Sequence, residues 1–368
     1  QVLSRRCPDP LLVPRRDGGV TALMFHNQTP EGPVVALCDL TRGQVKRQKL
    51  PDGFANPWSQ VWGPDGKLYF GLWGPATMLR YDPDADRLDT FGIMETDPSY
   101  KAVPRLTLGT DNQVYGIAAG YVFALDPATD AVTRYGHQGP RRSYPIAYKG
   151  SLAVDDDTIY STFGNFPEET FTVAMRKATR EWSHLDEIRG ARFEQGPHGV
   201  TASLGTNRYW MVNGKPVRRT SPNEPPPWPL VDRPPRTPAP VLTDKPEWLT
   251  PTREEGQVVL RYRFGTNQAW CTLAYDMPAM PVDLSRIWVM PDNRLFASTF
   301  GYDGIWALDT TSGAATQVGW YPQSHYSTLV RDGKAYLAGY PGSTLYVWDP
   351  SRPWTIRPGP PGAAAPRE

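Results

Sequence analysis

The sequence predicts an all-β chain, a β-propeller of seven blades, on three observations: turn-forming composition, an Asp/Asn/Gly turn that recurs every 40 to 48 residues, and a second recurring Asp-Pro signature. Composition comes first. Forty Pro, 33 Gly and 13 Trp in 368 residues, with few long amphipathic stretches, favour short strands joined by turns over helices. The 39 basic and 38 acidic side chains leave a net charge of +1, which gives no field for holding a polyanion non-specifically and argues against nucleic acid. No apolar run approaches the roughly 18 residues that span a bilayer, so no membrane span is expected.

The turn repeats begin Gly63-Pro-Asp-Gly-Lys-Leu-Tyr-Phe, Gly109-Thr-Asp-Asn-Gln-Val-Tyr, Val154-Asp-Asp-Asp-Thr-Ile-Tyr, Met290-Pro-Asp-Asn-Arg-Leu-Phe and Val330-Arg-Asp-Gly-Lys-Ala-Tyr. Each reads as a tight turn feeding a strand. Leu79-Arg-Tyr-Asp-Pro, Phe123-Ala-Leu-Asp-Pro, Ile305-Trp-Ala-Leu-Asp-Thr and Leu345-Tyr-Val-Trp-Asp-Pro then end a further strand in a second turn. The turn aspartates Asp17, Asp65, Asp111, Asp156, Asp292 and Asp332 are 48, 46, 45, 136 and 40 residues apart. A period of about 45 residues suits four-stranded blades, and the long gap hides at least one repeat.

Gly205-Thr-Asn-Arg-Tyr-Trp places a turn near Thr206 inside that gap. Pro222 to Pro251 carries eleven of the forty prolines, which cannot donate to a ladder and read as extended loop. We therefore expect one irregular blade with strands at 198–204, 208–213, 257–264 and 268–275, interrupted by a Pro-rich insertion at 216–256. The alternative is two blades there and eight in all. One propeller domain at 1–358 and a flexible tail at 359–368 complete the organisation. Cys7, Cys38 and Cys271 are too few for a disulfide framework and read as buried free thiols, with a single bridge as the alternative. Gln1 and the absence of an apolar leader suggest a processed chain or a piece of a longer one, with an extracytoplasmic location and a monomer as the expectation.

Ligands of propellers collect where loops of several blades converge on the channel mouth. The loops read to that face include His26-Asn-Gln, Trp73-Gly-Pro, Phe54-Ala-Asn-Pro-Trp, Tyr135-Gly-His, Gln195-Gly-Pro-His and Tyr321-Pro-Gln-Ser-His-Tyr. His26, His137, His198 and His325 all fall there, while the opposite face receives the Asp-Gly and Asp-Pro turns. Histidine moves protons near neutral pH and ligates metals. His198 and His325, each placed just before an innermost strand, are the catalytic candidates; with His26 they are also the candidate ligands of one divalent metal ion. Arg141 and Arg142 offer fork-shaped donors to a carboxylate, and Tyr144 offers an acid or base beside them. Trp58, Trp73, Tyr121, Tyr302 and Tyr340 supply flat apolar surfaces on which sugars stack, with His137 on the same rim. Trp62, Trp288, Trp306 and Trp348 fall within strands and are expected in the core. If the insertion folds over the mouth, it acts as a lid.

Across nearly the whole chain the Pro-Asp-Gly-Lys-Leu-Tyr-Phe and Tyr-Asp-Pro repeats resemble bacterial propellers of the virginiamycin B lyase-like and gluconolactonase-like groups, and the propeller polysaccharide lyases. The resemblance implies an enzyme that cleaves an acidic, uronate-containing oligo- or polysaccharide by β-elimination. A His and a Tyr serve such lyases as base and acid, roles open here to His198 or His325 and to Tyr144 or Tyr326, with Arg141 or Arg142 or a metal neutralising the uronate. The alternative is a non-catalytic recognition or scaffold module.

Overall fold

The computed structural model describes residues 9–354 except 27–28, 30, 52–56, 74–75, 95–102, 104, 119–120, 139–149, 165–169, 197, 222, 229–234, 255, 278–283, 300–303, 320–323 and 341–344. These residues form eight antiparallel sheets in chain order: sheets 1 (11–49), 2 (57–93), 3 (105–137), 4 (151–184), 5 (192–218), 6 (247–276), 7 (284–319) and 8 (324–348). All have four strands except the last, which has three among the described residues. Sheets 1 to 5 and 7 are simple meanders in which each strand pairs with the next in sequence, the blade organisation of a β-propeller. The described residues contain no α-helix, and no helix is long and apolar enough to cross a membrane.

Two compact units divide the chain, one holding residues 10–27 and 32–243, the other 1–9, 28–31 and 244–368. Sheets 1 to 5 belong to the first. There the first strand of sheet 3 (Arg105–Leu108) adjoins those of sheet 2 (Pro57–Trp62) and sheet 4 (Ser151–Val154), and the first strand of sheet 4 adjoins that of sheet 5 (Arg192–Gln195).

The two-residue period of a strand explains why the middle strands bury both faces. In Leu68–Leu72 of sheet 2, Leu68, Phe70 and Leu72 pack with Leu23, Phe25 and Leu37 of sheet 1, whereas Tyr69 faces Val114 and Phe123 of sheet 3. Tyr115 and Ile117 in turn meet Ile159 and Met175 of sheet 4. Tyr160 meets Phe193 and Met211 of sheet 5. In the second unit Trp288 and Phe296 of sheet 7 pack with Leu337 and Trp348 of sheet 8. Trp306 is buried too, while Trp62 is only half-buried against the core.

The turn aspartate that recurs four or five residues before a tyrosine has a chemical reason. Burial in the sheet-to-sheet core leaves each tyrosine with a hydroxyl to satisfy, and the turn aspartate accepts it: Tyr69 to Asp65 at 3.1 Å, Tyr115 to Asp111 at 2.6 Å and Tyr160 to Asp155 at 2.7 Å. Burial and the nearby carboxylate push all three phenols up from their ordinary value. Side chains also tie neighbouring sheets at this end. Thr110 donates to Asp156 at 2.6 Å, Lys177 to Asp111 at 2.9 Å and the Gly214 amide to the Tyr160 hydroxyl at 3.2 Å. Tyr115→Phe removes a hydroxyl while Asp111 keeps Lys177, so we expect a loss of about 1 kcal/mol, read as a lower urea midpoint at unchanged slope.

The single irregular blade expected between 198 and 275 is corrected to two sheets. Residues 192–218 close a four-stranded sheet without any strand from 257–275. Thr206 does lie in a turn, but one between the second and third strands, because the four-residue Arg192–Gln195 precedes them as the first. Sheet 6 lacks the Asp signature. Its first strand is broken into Glu247–Trp248 and Thr252–Glu254, both paired with Gln257–Arg263; Pro251 between them has no amide to donate. The Pro-rich segment thus links sheets 5 and 6 rather than splitting one blade. Cys38 is a buried free thiol pushed up to about 12 by desolvation, as expected, but Cys271 is exposed, and Cys7 lies outside the described residues.

Candidate functional site

A meander gives each sheet a loop end, where first strands start and second strands finish, and a turn end carrying the Asp-rich hairpins. Trp58 starts the first strand of sheet 2 and Trp73 follows its second, so the pleat brings both indoles to the loop end. Their ring centroids are 4.2 Å apart at 27°, a stacked pair, with Trp58 36% exposed and Trp73 half-buried. Tyr121 and His137 face each other across the third and fourth strands of sheet 3, ring centroids 4.9 Å apart and edge to face. His26 closes the second strand of sheet 1 and is buried.

His198 is elsewhere. It sits in the hairpin between Arg192–Gln195 and Val200–Leu204, at the turn end of sheet 5 rather than in a loop entering that sheet. It lines a cavity of about 160 Å³ with Asp155, Asp157, Thr158, Asn213 and Trp228, and its Nδ1 is buried with no hydrogen-bond partner. The placement of His198 at the channel mouth is therefore corrected: a short first strand shifted the reading by one strand and so by one end of the sheet.

His325 begins the eighth sheet as expected, but its imidazole is enclosed, 1% exposed. Nδ1 meets the Ser298 hydroxyl, Nε2 lies 2.8 Å from the Ser327 carbonyl oxygen and 2.7 Å from Thr328 Oγ1, and Trp288 packs edge-on at 5.5 Å. Burial, which outweighs the Ser327 contact, lowers its proton affinity. An imidazole with Nδ1 engaged by sheet 7 and Nε2 by its own strand is a structural cross-link between the two sheets, an arrangement that speaks against the catalytic role expected for it. Nor is the metal set gathered. Among the described residues no three His, Cys, Asp or Glu side chains surround a common point, and His26 and His198 lie at opposite ends of their sheets.

Arg141, Arg142, Tyr144 and Tyr302 lie outside the described residues. Tyr326 and Tyr340 lie in strands Ser324–Arg331 and Lys334–Tyr340, where the backbone alone is described.

The insertion is fastened to the turn end of sheets 1 to 5, opposite to the lid position expected for it. Trp228 packs edge-on to Trp210 at 5.0 Å and lies over Gly199, where a Cβ would come within 2.6 Å of the indole. Arg236 donates to Asn112 at 2.8 Å and to the Gly109 carbonyl at 2.9 Å. The Thr237 amide reaches the Pro64 carbonyl at 2.8 Å, and Arg16 donates to the Pro238 carbonyl at 3.2 Å. Prolines have no amide to satisfy, so an extended strap can cross hairpins with few donors to place.

Sequence reasoning missed one feature of the loop end altogether. Arg105, Ser151 and Arg192 open the first strands of three consecutive sheets, and with Thr162 and Phe193 they line a cavity of about 440 Å³.

No protein-family model matches the chain, and no curated protein matches it in sequence. Among solved structures it is similar to a catalytically inactive variant of virginiamycin B lyase from Staphylococcus aureus with quinupristin, at 8% identity over 92% of this chain and 93% of the other, TM-score 0.34. It is also similar to a dihydro-heme d1 dehydrogenase (12% identity, 96% and 66% covered, TM-score 0.33) and to a fungal alcohol oxidase in complex with copper (9% identity, 92% and 71% covered, TM-score 0.32). None of these likenesses carries a residue or an activity across to this chain.

Proposed function

We propose that the protein takes an acidic glycan at the loop end of sheets 1 to 5, and that cleavage by β-elimination is the reaction this ligand class permits. The observation that supports it best is the Trp58–Trp73 stack. Two indoles already stacked present one partly solvent-facing surface against which a sugar ring's C–H face can pack, with little side-chain entropy left to lose. Elimination would require a group that neutralises the carboxylate, a base that takes the proton from the carbon beside it while the C–H electron pair becomes a new C=C bond, and an acid that protonates the oxygen leaving with the C–O electron pair. Tyr144 with Arg141 and Arg142 remain the residues proposed for these roles. Non-catalytic recognition is the second reading, favoured by the enclosure of His325 and the turn-end position of His198.

The test is direct. Incubation with a panel of uronate-containing polysaccharides should release unsaturated product absorbing in the ultraviolet if the protein is a lyase; binding without product supports recognition alone. Trp58→Ala should weaken oligosaccharide binding about tenfold by calorimetry in either case. Unchanged affinity in this variant would remove the aromatic platform from the site.

A further inference from the structure

The hairpin between Asn207–Val212 and Lys215–Arg218 of sheet 5 turns through Asn213-Gly214, the one Asn-Gly pair in the chain. Both residues take a positive φ, 50° and 80°, as a two-residue type I′ turn requires, and Val212 pairs with Lys215 across it. Asn-Gly is also the most labile link that asparagine forms. Glycine has no Cβ to hinder its amide nitrogen and swings through conformations closed to other residues, so that nitrogen can reach Cγ of the preceding side chain. The other described asparagines, at 112, 207, 223, 267 and 293, are each followed by Gln, Arg or Glu, and two of them are held by arginines: Asn112 by Arg236 and Asn207 by Arg218. Asn213 is exposed, and its side-chain amide has no hydrogen bond among the described residues. It lines the cavity of about 160 Å³ that also holds Asp155, Asp157, His198 and Trp228. One contact guards the turn. The Gly214 amide donates to the Tyr160 hydroxyl at 3.2 Å, and that phenol, pushed up by burial and by Asp155, stays protonated and cannot take the amide proton. Attack therefore waits for the hairpin to open.

We propose that Asn213 is a self-modification site, a spontaneous deamidation gated by opening of its hairpin. The Gly214 nitrogen gives its proton to hydroxide and attacks Cγ of Asn213. The new C–N bond forms as the Cγ–Nδ2 bond breaks, and the side-chain nitrogen takes a proton from water and leaves as ammonia. Water then opens the cyclic imide at either carbonyl, leaving an aspartate or an isoaspartate at position 213. Either product adds a carboxylate to the cavity of Asp155 and Asp157, and isoaspartate also adds a methylene to the connection that pairs Val212 with Lys215. Trp228, which holds the Pro-rich segment on sheet 5, lines the same cavity, so the strap loosens as the molecule ages.

The experiment holds the whole chain at mildly alkaline pH for days and follows ammonia release, the mass of the peptide that spans position 213, and its labelling by an isoaspartyl methyltransferase. Wild type should gain the mass of an amide turned acid at 213 ahead of every other asparagine. Tyr160→Phe removes the acceptor of the Gly214 amide and should quicken the change about fivefold. Tyr115→Phe loses a comparable buried hydroxyl on sheet 3 and should leave the rate at 213 as it was. Asn213→Gln, whose longer side chain must close a larger ring, should leave the peptide unmodified. Should Tyr160→Phe not fold, wild type in urea below its transition decides, because modification should rise in step with hydrogen exchange of the Gly214 amide. No mass change at 213, a faster change at another asparagine, equal acceleration in both phenylalanine variants, or a rate that follows only global unfolding overturns the proposal.

Discussion

Asp39→Ala is expected to remove about 3–5 kcal/mol of unfolding free energy, a large part of the stability of an ordinary domain. Arg15 and Asp39 pair at the turn end of sheet 1 with side chains only 3% and 5% exposed. Asp39 also accepts the Thr41 and Arg42 amides at 3.0 and 2.9 Å, and Arg15 donates to Asp17 at 3.0 Å. Desolvation works against the charged Arg15, but its hydrogen bonds to Asp39 and Asp17 win, and its proton affinity rises. Deleting Asp39 leaves that cation in the same enclosure with only the half-exposed Asp17 as partner. The cost is therefore mainly the stranded charge and not the pair's own net worth. The double variant Arg15→Met with Asp39→Leu, which removes both charges, should recover most of the loss. Asp17 adds an acid dependence. Its carboxyl is held below the ordinary value by the Arg15 hydrogen bond, so its contribution is complete above the unfolded value near ~3.9 and disappears as pH falls through the lower folded value. Urea midpoints of the three proteins at neutral pH decide the matter: a single-variant loss below about 1 kcal/mol means that the pair is not what holds this end of the sheet.

The blade repeat was legible because it is local. An aspartate that accepts a turn amide and a buried tyrosine hydroxyl must stand four or five residues before that tyrosine, as at Asp65, Asp111 and Asp155, and such a constraint survives as a spacing. Sheets 5 and 6 escaped because they meet the same geometry by other means. Sheet 5 turns through Gly196–Gly199, whose glycine makes room for an indole, and sheet 6 breaks its first strand around Pro251. One missed strand moved His198 from one end of its sheet to the other, since alternate connections of a meander lie at opposite ends. The stacking of Trp58 on Trp73 could be anticipated from strand ends alone. The cavity lined by Arg105 and Arg192 could not, because the two are 87 residues apart by number and line it together only when three sheets stand side by side. For His325, the reading put the residue in the right strand, but no sequence pattern tells an imidazole facing solvent from one bonded to Ser298 and Thr328.

Trp228→Ala and Arg236→Ala are the second pair of large effects, each expected to cost about 2–3 kcal/mol and, more tellingly, to loosen hairpins that neither residue touches. The strap meets the turn end at separate sheets: Trp228 on sheet 5, Arg236 on sheet 3, Thr237 on sheet 2 and Pro238 on Arg16 of sheet 1. Arg16 is itself bound to Asp84 of sheet 2 at 3.2 Å. Each contact is modest, but all lie within one stretch of eleven residues, and fixing any anchor lowers the entropy cost of the next. Loss of one anchor must then weaken the others. The Thr237 amide, bonded to the Pro64 carbonyl, reports this directly by hydrogen exchange. With a cooperative strap its exchange quickens about tenfold in both variants, although Trp228 is nine positions away, and the combined variant costs less than the sum of the two single losses because the second substitution finds the strap already loose. Arg236→Lys keeps a donor for only one of the two acceptors on sheet 3 and should fall between. Exchange at Thr237 that quickens in Arg236→Ala but not in Trp228→Ala would mean independent contacts, with each sheet of the unit held by its own neighbours and the strap merely lying across them.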